Sequence, residues 1–304
     1  MATKEEIAHI IRAGIGKNPI IKSARRDLNA ANILITQENG YDVCNTIFHL
    51  QQCIEKTSKL MLIITKYGFP AKKELSKAAL NEKIVRNMRA ISHNHLKLIE
   101  ELFNYAKRLH IDAAFSDKTL KTLGITDELP SANFEDTLKT DKDRIATMPK
   151  KKLLQVISYA DRLSNEISEY HEESLDINSF FTEDMQSERK LRETIDQAKE
   201  DLEVSAAANG LSSDEYFKAL ITGVWPMIVQ IPRLLMYGII LFPHEQYTRY
   251  FDGTITPEDY IMHHVGIGNK RVLNALLNGT NSIINNLTTM ESLPTNLSEE
   301  VESI

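Results

Sequence analysis

Residues 41–66 read YDVCNTIFHLQQCIEKTSKLMLIITK and contain neither proline nor glycine. Apolar side chains recur in this stretch at steps of three, four and seven residues, which predicts one long helix with an apolar side that packs against a partner. Polar side chains recur at a similar spacing on a second side, as on a solvated face or a face that binds a ligand. The apolar stripe is Val43, Ile47, Leu50, Ile54 and Met61, and the polar stripe is Asn45, His49, Gln52, Lys56 and Lys59.

The rest of the chain also has a helical pattern, because its periodic apolar runs are separated by Gly, Pro and Asn-Gly breaks and no alternating strand pattern occurs. Residues 22–37 carry small and apolar side chains on one face, and Asn39-Gly40 separates this helix from the 41–66 helix by a short reversal. Two long helices joined in this way form an antiparallel hairpin. The predicted fold class is therefore all-α, an antiparallel up-down helical bundle with an inserted helical hairpin.

The order of the apolar runs predicts four parts of the chain. Residues 1–21 form a short N-terminal arm, and residues 22–112 together with 212–278 form the helical bundle. Residues 113–211 form the inserted helical hairpin, since their two periodic runs carry many Glu, Asp and Lys on the exposed side. Residues 279–304, rich in Asn, Ser, Thr and Glu, form a flexible tail.

Composition predicts a cytoplasmic globular protein. The 304 residues are 42% hydrophobic, and the sequence opens without the basic segment and apolar run of a secretory signal. The most apolar run, residues 224–242, contains two prolines and an arginine. Because these residues suit a membrane span poorly, the run is predicted to be a buried, kinked core helix, and no membrane partner is predicted.

The net charge of −6 is distributed unevenly along the chain. Residues 1–112 carry a net charge of +7, residues 113–217 carry −10, and residues 218–304 carry −3. The basic part, residues 1–112, suits an anionic ligand or an acidic partner. The acidic part, residues 113–217, suits solvent-exposed inserted helices.

Four short segments resemble the HEPN family of helical domains, which are associated with RNA and nucleotides in prokaryotic toxin and antiviral systems. They read RRDLNAANILIT, YDVCNTIFHLQQCIEKTSKLML, SHNHLKLIEEL and LFPHEQYTRYFDG. The second is similar to the family pattern A-x-H-x-x-Q-x-A-E-K-x-x-K-A. His93-Asn94 or His95-Leu96 is similar to the usual T-H-D-L, and residues 248–251 are similar to A-R-Y-P with Phe in place of proline. The comparable positions in the second segment are His49, Gln51 or Gln52, Glu55, Lys56 and Lys59.

The resemblance implies RNA-related work, since many members resemble metal-independent ribonucleases that carry an arginine followed a few residues later by a histidine. Arg89 precedes His95 with five residues between them, and Arg86 precedes His93 with six. In such a pair, the imidazole transfers protons near neutral pH and the guanidinium binds the charge that develops on the phosphate. The family motif usually lies at the fourth helix, whereas both pairs here precede the third.

Two hypotheses follow. In the first, the protein is a metal-independent endoribonuclease effector of a toxin or antiviral defence system, with Arg89 and His95 as catalytic residues assisted by Arg86 and His93. In the second, it is a non-catalytic module that binds RNA, a nucleotide or a protein partner such as a nucleotidyltransferase. No cofactor or metal is predicted, and the resemblance implies a homodimer. The predicted ligand-binding residues are His49, Gln52, Lys56, Lys59, His244, Arg249 and Tyr250.

Overall fold

A computed structural model describes most of the chain as helices. The described residues contain no strand, so the predicted all-α class is confirmed for them. Predictions for Arg86, Arg89, His93, Arg249 and Tyr250 lie outside this part of the chain. The described residues are 3–37, 42–67, 95–108, 117–122, 124, 134–169, 200, 202–245, 256, 259–260 and 263–288.

We number the helices in chain order. The first four are α1 (Lys4–Gly16), α2 (Pro19–Thr36), α3 (Val43–Tyr67) and α4 (His95–Arg108). Four more are α5 (Asp117–Thr122), α6 (Phe134–Thr140), α7 (Lys142–Ala146) and α8 (Lys150–Glu169). The last three are α9 (Ser213–Ile228), α10 (Ile231–Leu241) and α11 (Lys270–Thr288), with a 3-10 turn, Phe242–His244, directly after α10.

The hairpin of α2 and α3 has the predicted antiparallel arrangement. Near the connection, the backbone amide of Asp42 donates to the carbonyl of Leu34 at 3.4 Å. Two turns earlier in α2, the carboxylate of Asp27 contacts His49 and Lys56, which lie well inside α3. The pairing of earlier α2 residues with later α3 residues fixes the antiparallel direction. Helix α3 also packs against α4, α10 and α11, so it is a central helix of the described structure.

Helix α1 packs against α9, although residues 1–21 were predicted to form an arm. Three of its four isoleucines lie on one face and are buried, and the guanidinium of Arg12 donates to the carbonyl of Thr222 at 2.9 Å. Burial of an amphipathic face stabilises a short helix that would be marginal alone. The buried isoleucines are Ile7, Ile11 and Ile15.

The predicted kinked core helix is two helices. Pro226 lies inside α9, and Pro232 lies in the first turn of α10, where its missing N–H is tolerated. Among the described residues, the stretch Ser213–His244 is long and apolar enough to cross a membrane by length and composition. Most of it is buried inside the protein, as expected for core helices, so it gives no evidence of a membrane span.

Helix α11 corrects the predicted start of the flexible tail. It continues through Thr288, beyond the predicted boundary at residue 279, because apolar residues among the Asn and Ser residues still fall on one buried face. Helix α8, which is the first of the two predicted hairpin helices in the insertion, belongs to the same apolar core and packs against α10 and α11. The buried residues at the end of α11 are Ile283, Ile284 and Leu287.

Candidate functional site

A buried polar cluster lies where α3, α4 and the end of α10 meet. Glu55, Lys59 and His95 are each less than one-tenth exposed. The imidazole of His95 donates from Nε2 to Oε2 of Glu55 at 2.6 Å, and the ammonium of Lys59 donates to Oε1 of the same carboxylate at 2.6 Å. Gln52 donates to Oε2 of Glu55 at 3.1 Å. The second imidazole nitrogen of His95, Nδ1, lies 3.5 Å from Oε2 of Glu245. We call Glu55, Lys59, His95 and Glu245 the Glu55 cluster.

The end of α10 is held next to the Glu55 cluster by α3 itself. Gln51 is buried, and its side-chain amide donates to the carbonyl of Leu241, the last residue of α10. The last carbonyls of a helix have no partner within the helix, so a side-chain donor at this position satisfies one of them. The contact positions the following turn, and with it Glu245, against His95.

The charge of Glu55 is stabilised by its neighbours. Burial opposes ionisation of the carboxyl, but the hydrogen bonds from His95 and Lys59 outweigh it and hold the pKa of Glu55 well below its usual value of 4.5. The cluster is therefore an ionised, hydrogen-bonded network inside the protein. Removing one member of such a network lowers stability, because the remaining buried polar groups lose a hydrogen-bond partner.

The lowered pKa of Glu55 predicts a loss of stability in acid. Below about pH 4.5 the unfolded chain binds a proton at this position that the folded protein resists, so folding stability falls as the pH drops towards the folded-state pKa. In Glu55→Gln this contribution is absent. Urea unfolding from pH 7 to pH 3 is therefore expected to show a smaller loss in Glu55→Gln than in the native protein. Parallel curves for the two proteins would contradict the prediction.

A small cavity adjoins the Glu55 cluster. It has a volume of about 20 Å³, enough for a water molecule and far too small for a nucleotide. Within the described part of the chain, the hydroxyl of Ser58, a lining residue that is 1% exposed, has no hydrogen-bond partner. The cluster is therefore suited to hold helices and neighbouring segments in place, and a larger ligand must bind outside it. The other lining residues include Gln51, Glu55, His95, Leu98 and Gly238.

A second polar group lies at the surface between α2 and α3. Its centre is Asp27, which accepts from Nδ1 of His49 at 3.3 Å and from the ammonium of Lys56 at 2.5 Å. The side chains of Asp27, His49 and Lys56 are 14%, 27% and 28% exposed. We call these three residues the Asp27 group. The neighbouring thiol of Cys53 is fully buried, and burial together with the Asp27 charge raises its pKa far above the usual value, so it is not a nucleophile.

His244 is buried and does not face solvent. Its Nδ1 lies 2.8 Å from the hydroxyl of Tyr260, and the Tyr260 ring stacks on His264 with centroids 3.9 Å apart. Burial, followed by the nearby His264 and Lys142, lowers the pKa of His244 to about 3. A neutral, enclosed imidazole of this kind contributes to packing, and the described structure gives it no accessible surface for a ligand.

The predicted ligand-binding stripe of α3 divides between the two polar groups. His49 and Lys56 join Asp27, while Gln52 and Lys59 join Glu55. His95, predicted to be catalytic, lies in the Glu55 cluster with both ring nitrogens facing carboxylate oxygens.

Several residues of these groups were not among the predicted site residues. The i,i+4 pair of Glu55 and Lys59 is visible in the sequence and could have indicated a charged network on α3. No local signal places Asp27 or Glu245 beside α3, because Asp27 belongs to α2 and Glu245 follows the turn after α10. Gln51 and Ser58 lie on α3 itself, but their contacts depend on how α4 and α10 pack against it. The missed residues are Asp27, Gln51, Glu55, Ser58 and Glu245.

The fold and site together define a class: an all-α protein with a buried ion-pair network on its central helix and a solvent-accessible Asp-His-Lys group beside it. Comparisons with protein-family models, with curated proteins and with solved structures return no match to this chain.

Proposed function

We propose that the protein is a HEPN-like, RNA-associated helical module, and that the Glu55 cluster positions its RNA-binding segments. The observation that carries the proposal is the convergence of three separate sequence segments on one carboxylate network. Glu55 belongs to the second of the four HEPN-like segments, His95 to the third and Glu245 to the fourth. Their side chains meet within 2.6 Å and 3.5 Å.

The convergence matters because His95 and Glu245 each adjoin, in the sequence, a proposed RNA-binding segment that contains a predicted arginine. His95 is six residues from Arg89 along the sequence, and Glu245 is four residues from Arg249. The contact between His95 and Glu245 therefore brings the described residues next to these arginines in the sequence to the same place. Arginines suit the phosphates of RNA, because guanidinium groups bind phosphate in a bidentate manner.

Binding without cleavage is the function that the geometry supports best. Both nitrogens of His95 face carboxylates and its side chain is only 10% exposed, so its role in the folded protein is to position neighbouring groups. Cleavage by Arg89 and His95 is the second candidate. It is favoured by the position of His95 at the start of α4, shortly after Arg86 and Arg89 in the sequence. In that case, the ring must leave Glu55 when RNA binds.

RNA binding is tested with a labelled single-stranded RNA in EDTA at low salt. We expect the native protein to retain RNA and Arg86→Ala/Arg89→Ala to bind at least about tenfold more weakly, with a smaller salt dependence, because two phosphate contacts are lost. The matched control is Lys151→Ala/Arg162→Ala, which removes two exposed cations of α8. The control is expected to bind like the native protein.

Each outcome of this experiment decides something. A native protein that retains no RNA would exclude RNA association and leave a nucleotide or a protein partner as the remaining hypotheses. Equal weakening in both double variants would show that binding follows overall charge and not the proposed segments. RNA cleavage by the native protein that is absent in Arg89→Ala and His95→Ala would favour the second candidate.

The cellular setting belongs to the same proposal. It includes a cytoplasmic location, which the composition predicts, and a role in a toxin or antiviral system and a homodimer, which the HEPN resemblance implies. The mass of the protein in solution, measured with and without RNA, tests the dimer directly.

A further inference from the structure

His95 lies between two carboxylates that belong to different parts of the chain. Its Nε2 meets Oε2 of Glu55 on α3 at 2.6 Å, and its Nδ1 lies 3.5 Å from Oε2 of Glu245, the residue directly after the 3-10 turn that follows α10. The side chain of His95 is 10% exposed and that of Glu245 is 29% exposed. The ring therefore bridges an interior carboxylate of α3 and a carboxylate within reach of solvent.

The protonation state of the ring decides whether both contacts are favourable. An imidazolium carries an N–H group at each nitrogen, whereas a neutral imidazole carries one and presents a lone pair at the other. The neutral ring keeps its N–H on Glu55, because that contact is the shorter one and Glu55 is buried. The lone pair at Nδ1 then faces the carboxylate of Glu245, so the attraction between His95 and Glu245 is lost.

We propose that His95 is a pH-operated latch on the end of α10. With its ring protonated, His95 holds Glu245 and the turn Phe242–His244 against α3 and α4, and loss of the proton near neutral pH, where imidazoles titrate, releases Glu245. The latch goes beyond the proposed function, since it is measured without RNA. The open latch is also expected to bind RNA more weakly, and that consequence alone rests on the proposed function.

The other charges around the ring are consistent with this switch. Lys59 of α3 binds the second oxygen of Glu55, so within the Glu55 cluster two carboxylates face one ammonium, and a protonated ring balances the charges. The start of α4, where His95 lies, carries a partial positive charge that opposes this protonation. Burial opposes ionisation of Glu55, but hydrogen bonds from His95 and Lys59 hold its pKa well below 4.5, so Glu55 stays ionised near neutral pH. From α10, the apolar side chains of Leu234 and Leu241 line the cavity beside the ring.

Two further histidines lie close to the turn after α10. Burial, followed by the nearby His264 and Lys142 of α7, lowers the pKa of His244 to about 3, so His244 stays neutral near neutral pH. His264 stacks on Tyr260, whose hydroxyl lies 2.8 Å from Nδ1 of His244. Replacing His264 therefore tests whether a second imidazole, and not His95, controls the turn.

The test is hydrogen exchange of the backbone amides that hold the turn, measured without RNA at about pH 6 and about pH 8.5, on either side of neutrality. The amide of Phe242 donates to the carbonyl of Gly238, and the amide of Glu245 donates to the carbonyl of Phe242. In the native protein, their protection factors are expected to fall at least about tenfold between the lower and the higher pH, as for the loss of one charge-assisted contact. Amides of α11 are expected to keep theirs. Nitrogen NMR is expected to show N–H groups at both ring nitrogens of His95 at the lower pH and only at Nε2 at the higher.

Glu245→Gln is the matched variant. A glutamine amide accepts from a protonated Nδ1 and donates to a neutral one, so the contact no longer depends on the proton of the ring. In Glu245→Gln and in His95→Gln, the protection factors are expected to be the same at both pH values. His264→Gln is expected to keep the native pH dependence. Thermal unfolding checks that each variant is folded, and Glu245→Gln, at a partly exposed position, decides the test if His95→Gln is not.

The outcomes separate the latch from the proposed function. Protection that does not change with pH in the native protein overturns the latch, as does a change that persists in Glu245→Gln or disappears in His264→Gln. Binding of a labelled RNA is measured separately at the same two pH values. A protein that opens with pH but retains no RNA supports the latch and contradicts the proposed function. A protein that binds RNA without this opening overturns the latch and leaves the proposed function in place.

Discussion

Replacing Glu55 with alanine is expected to lower the free energy of unfolding by about 3–5 kcal/mol, the largest effect of any single substitution considered. Its carboxylate accepts from Lys59 and His95, and all three residues are less than one-tenth exposed. Removing one partner of a buried charged network leaves the others desolvated without the interaction that compensated for burial. The change also disconnects α3 from α4 at the point where their polar residues meet.

The measurement is urea unfolding of the native protein and two variants at neutral pH. The matched control is Glu166→Ala on α8, whose carboxylate also belongs to an ion pair at i,i+4 spacing, with Arg162 at 3.6 Å. Both partners of that pair are more than half exposed, so its loss is expected to cost less than about 1 kcal/mol. Equal shifts of the unfolding midpoint in the two variants would contradict a buried Glu55 network.

The expected effect of Glu55→Ala on RNA binding follows from the same contacts. If the Glu55 cluster anchors His95 and Glu245, the variant is expected to bind RNA more weakly even where it remains folded. Gln51→Ala tests whether the position of the end of α10 matters for RNA binding. It removes the donor to the carbonyl of Leu241 and leaves the charged residues of the Glu55 cluster unchanged. If Glu55→Ala is fully folded and binds RNA with native affinity, the Glu55 cluster has no role in RNA binding.

Helical periodicity predicted much of the fold because it depends on neighbouring residues alone. The stripe from Val43 to Met61 identified α3, and Asn39-Gly40 indicated the antiparallel hairpin with α2. The end of α11 was missed because Asn and Ser residues surround Ile283 and Leu287, and composition was given more weight than spacing. The helical spacing of the apolar residues in that segment indicates the longer helix.

The candidate site was predictable only in part, because its contacts join residues that are distant in sequence. The polar stripe of α3 was recognised, but the sequence does not show that His49 meets a carboxylate from α2. His95 was predicted to be a catalytic residue. Its burial between Glu55 and Glu245 depends on how α4 and the end of α10 pack, which no local pattern encodes.

A third polar group lies between α8 and α10, and it is the basis of the second large expected effect on stability. The buried hydroxyl of Tyr237 donates to Oδ1 of Asp161 at 2.8 Å, and the guanidinium of Arg233 donates to the same oxygen at 2.7 Å. Burial, and then the Asp161 charge, raises the pKa of Tyr237 well above its usual value, so the phenol remains a donor. Gly279 of α11 lies directly against this phenol, and a Cβ there would overlap its oxygen.

Gly279→Ala is therefore expected to destabilise the protein by about 2–3 kcal/mol. Alanine improves helix propensity by about 1 kcal/mol, but this gain is smaller than the cost of moving Tyr237 or separating α11 from α10. Tyr237 cannot yield easily, because its ring is fully buried and its hydroxyl is held by Asp161. Thermal and urea unfolding measure the effect, with Asn278→Ala as the control at the exposed neighbouring position of α11.

The control is expected to change stability by no more than about 0.7 kcal/mol, since only propensity is altered. A double-mutant cycle with Tyr237→Leu then tests the cause. Leucine removes the phenol that the new methyl group would meet, so the double variant is expected to be more stable than the sum of the single effects by more than about 1 kcal/mol. Additive effects would mean that the methyl group at position 279 destabilises the helix by a route other than Tyr237. If Gly279→Ala has the stability of the native protein, α11 lies farther from α10 than the structure shows. The expected coupling to the contact between Tyr237 and Asp161 would then be absent.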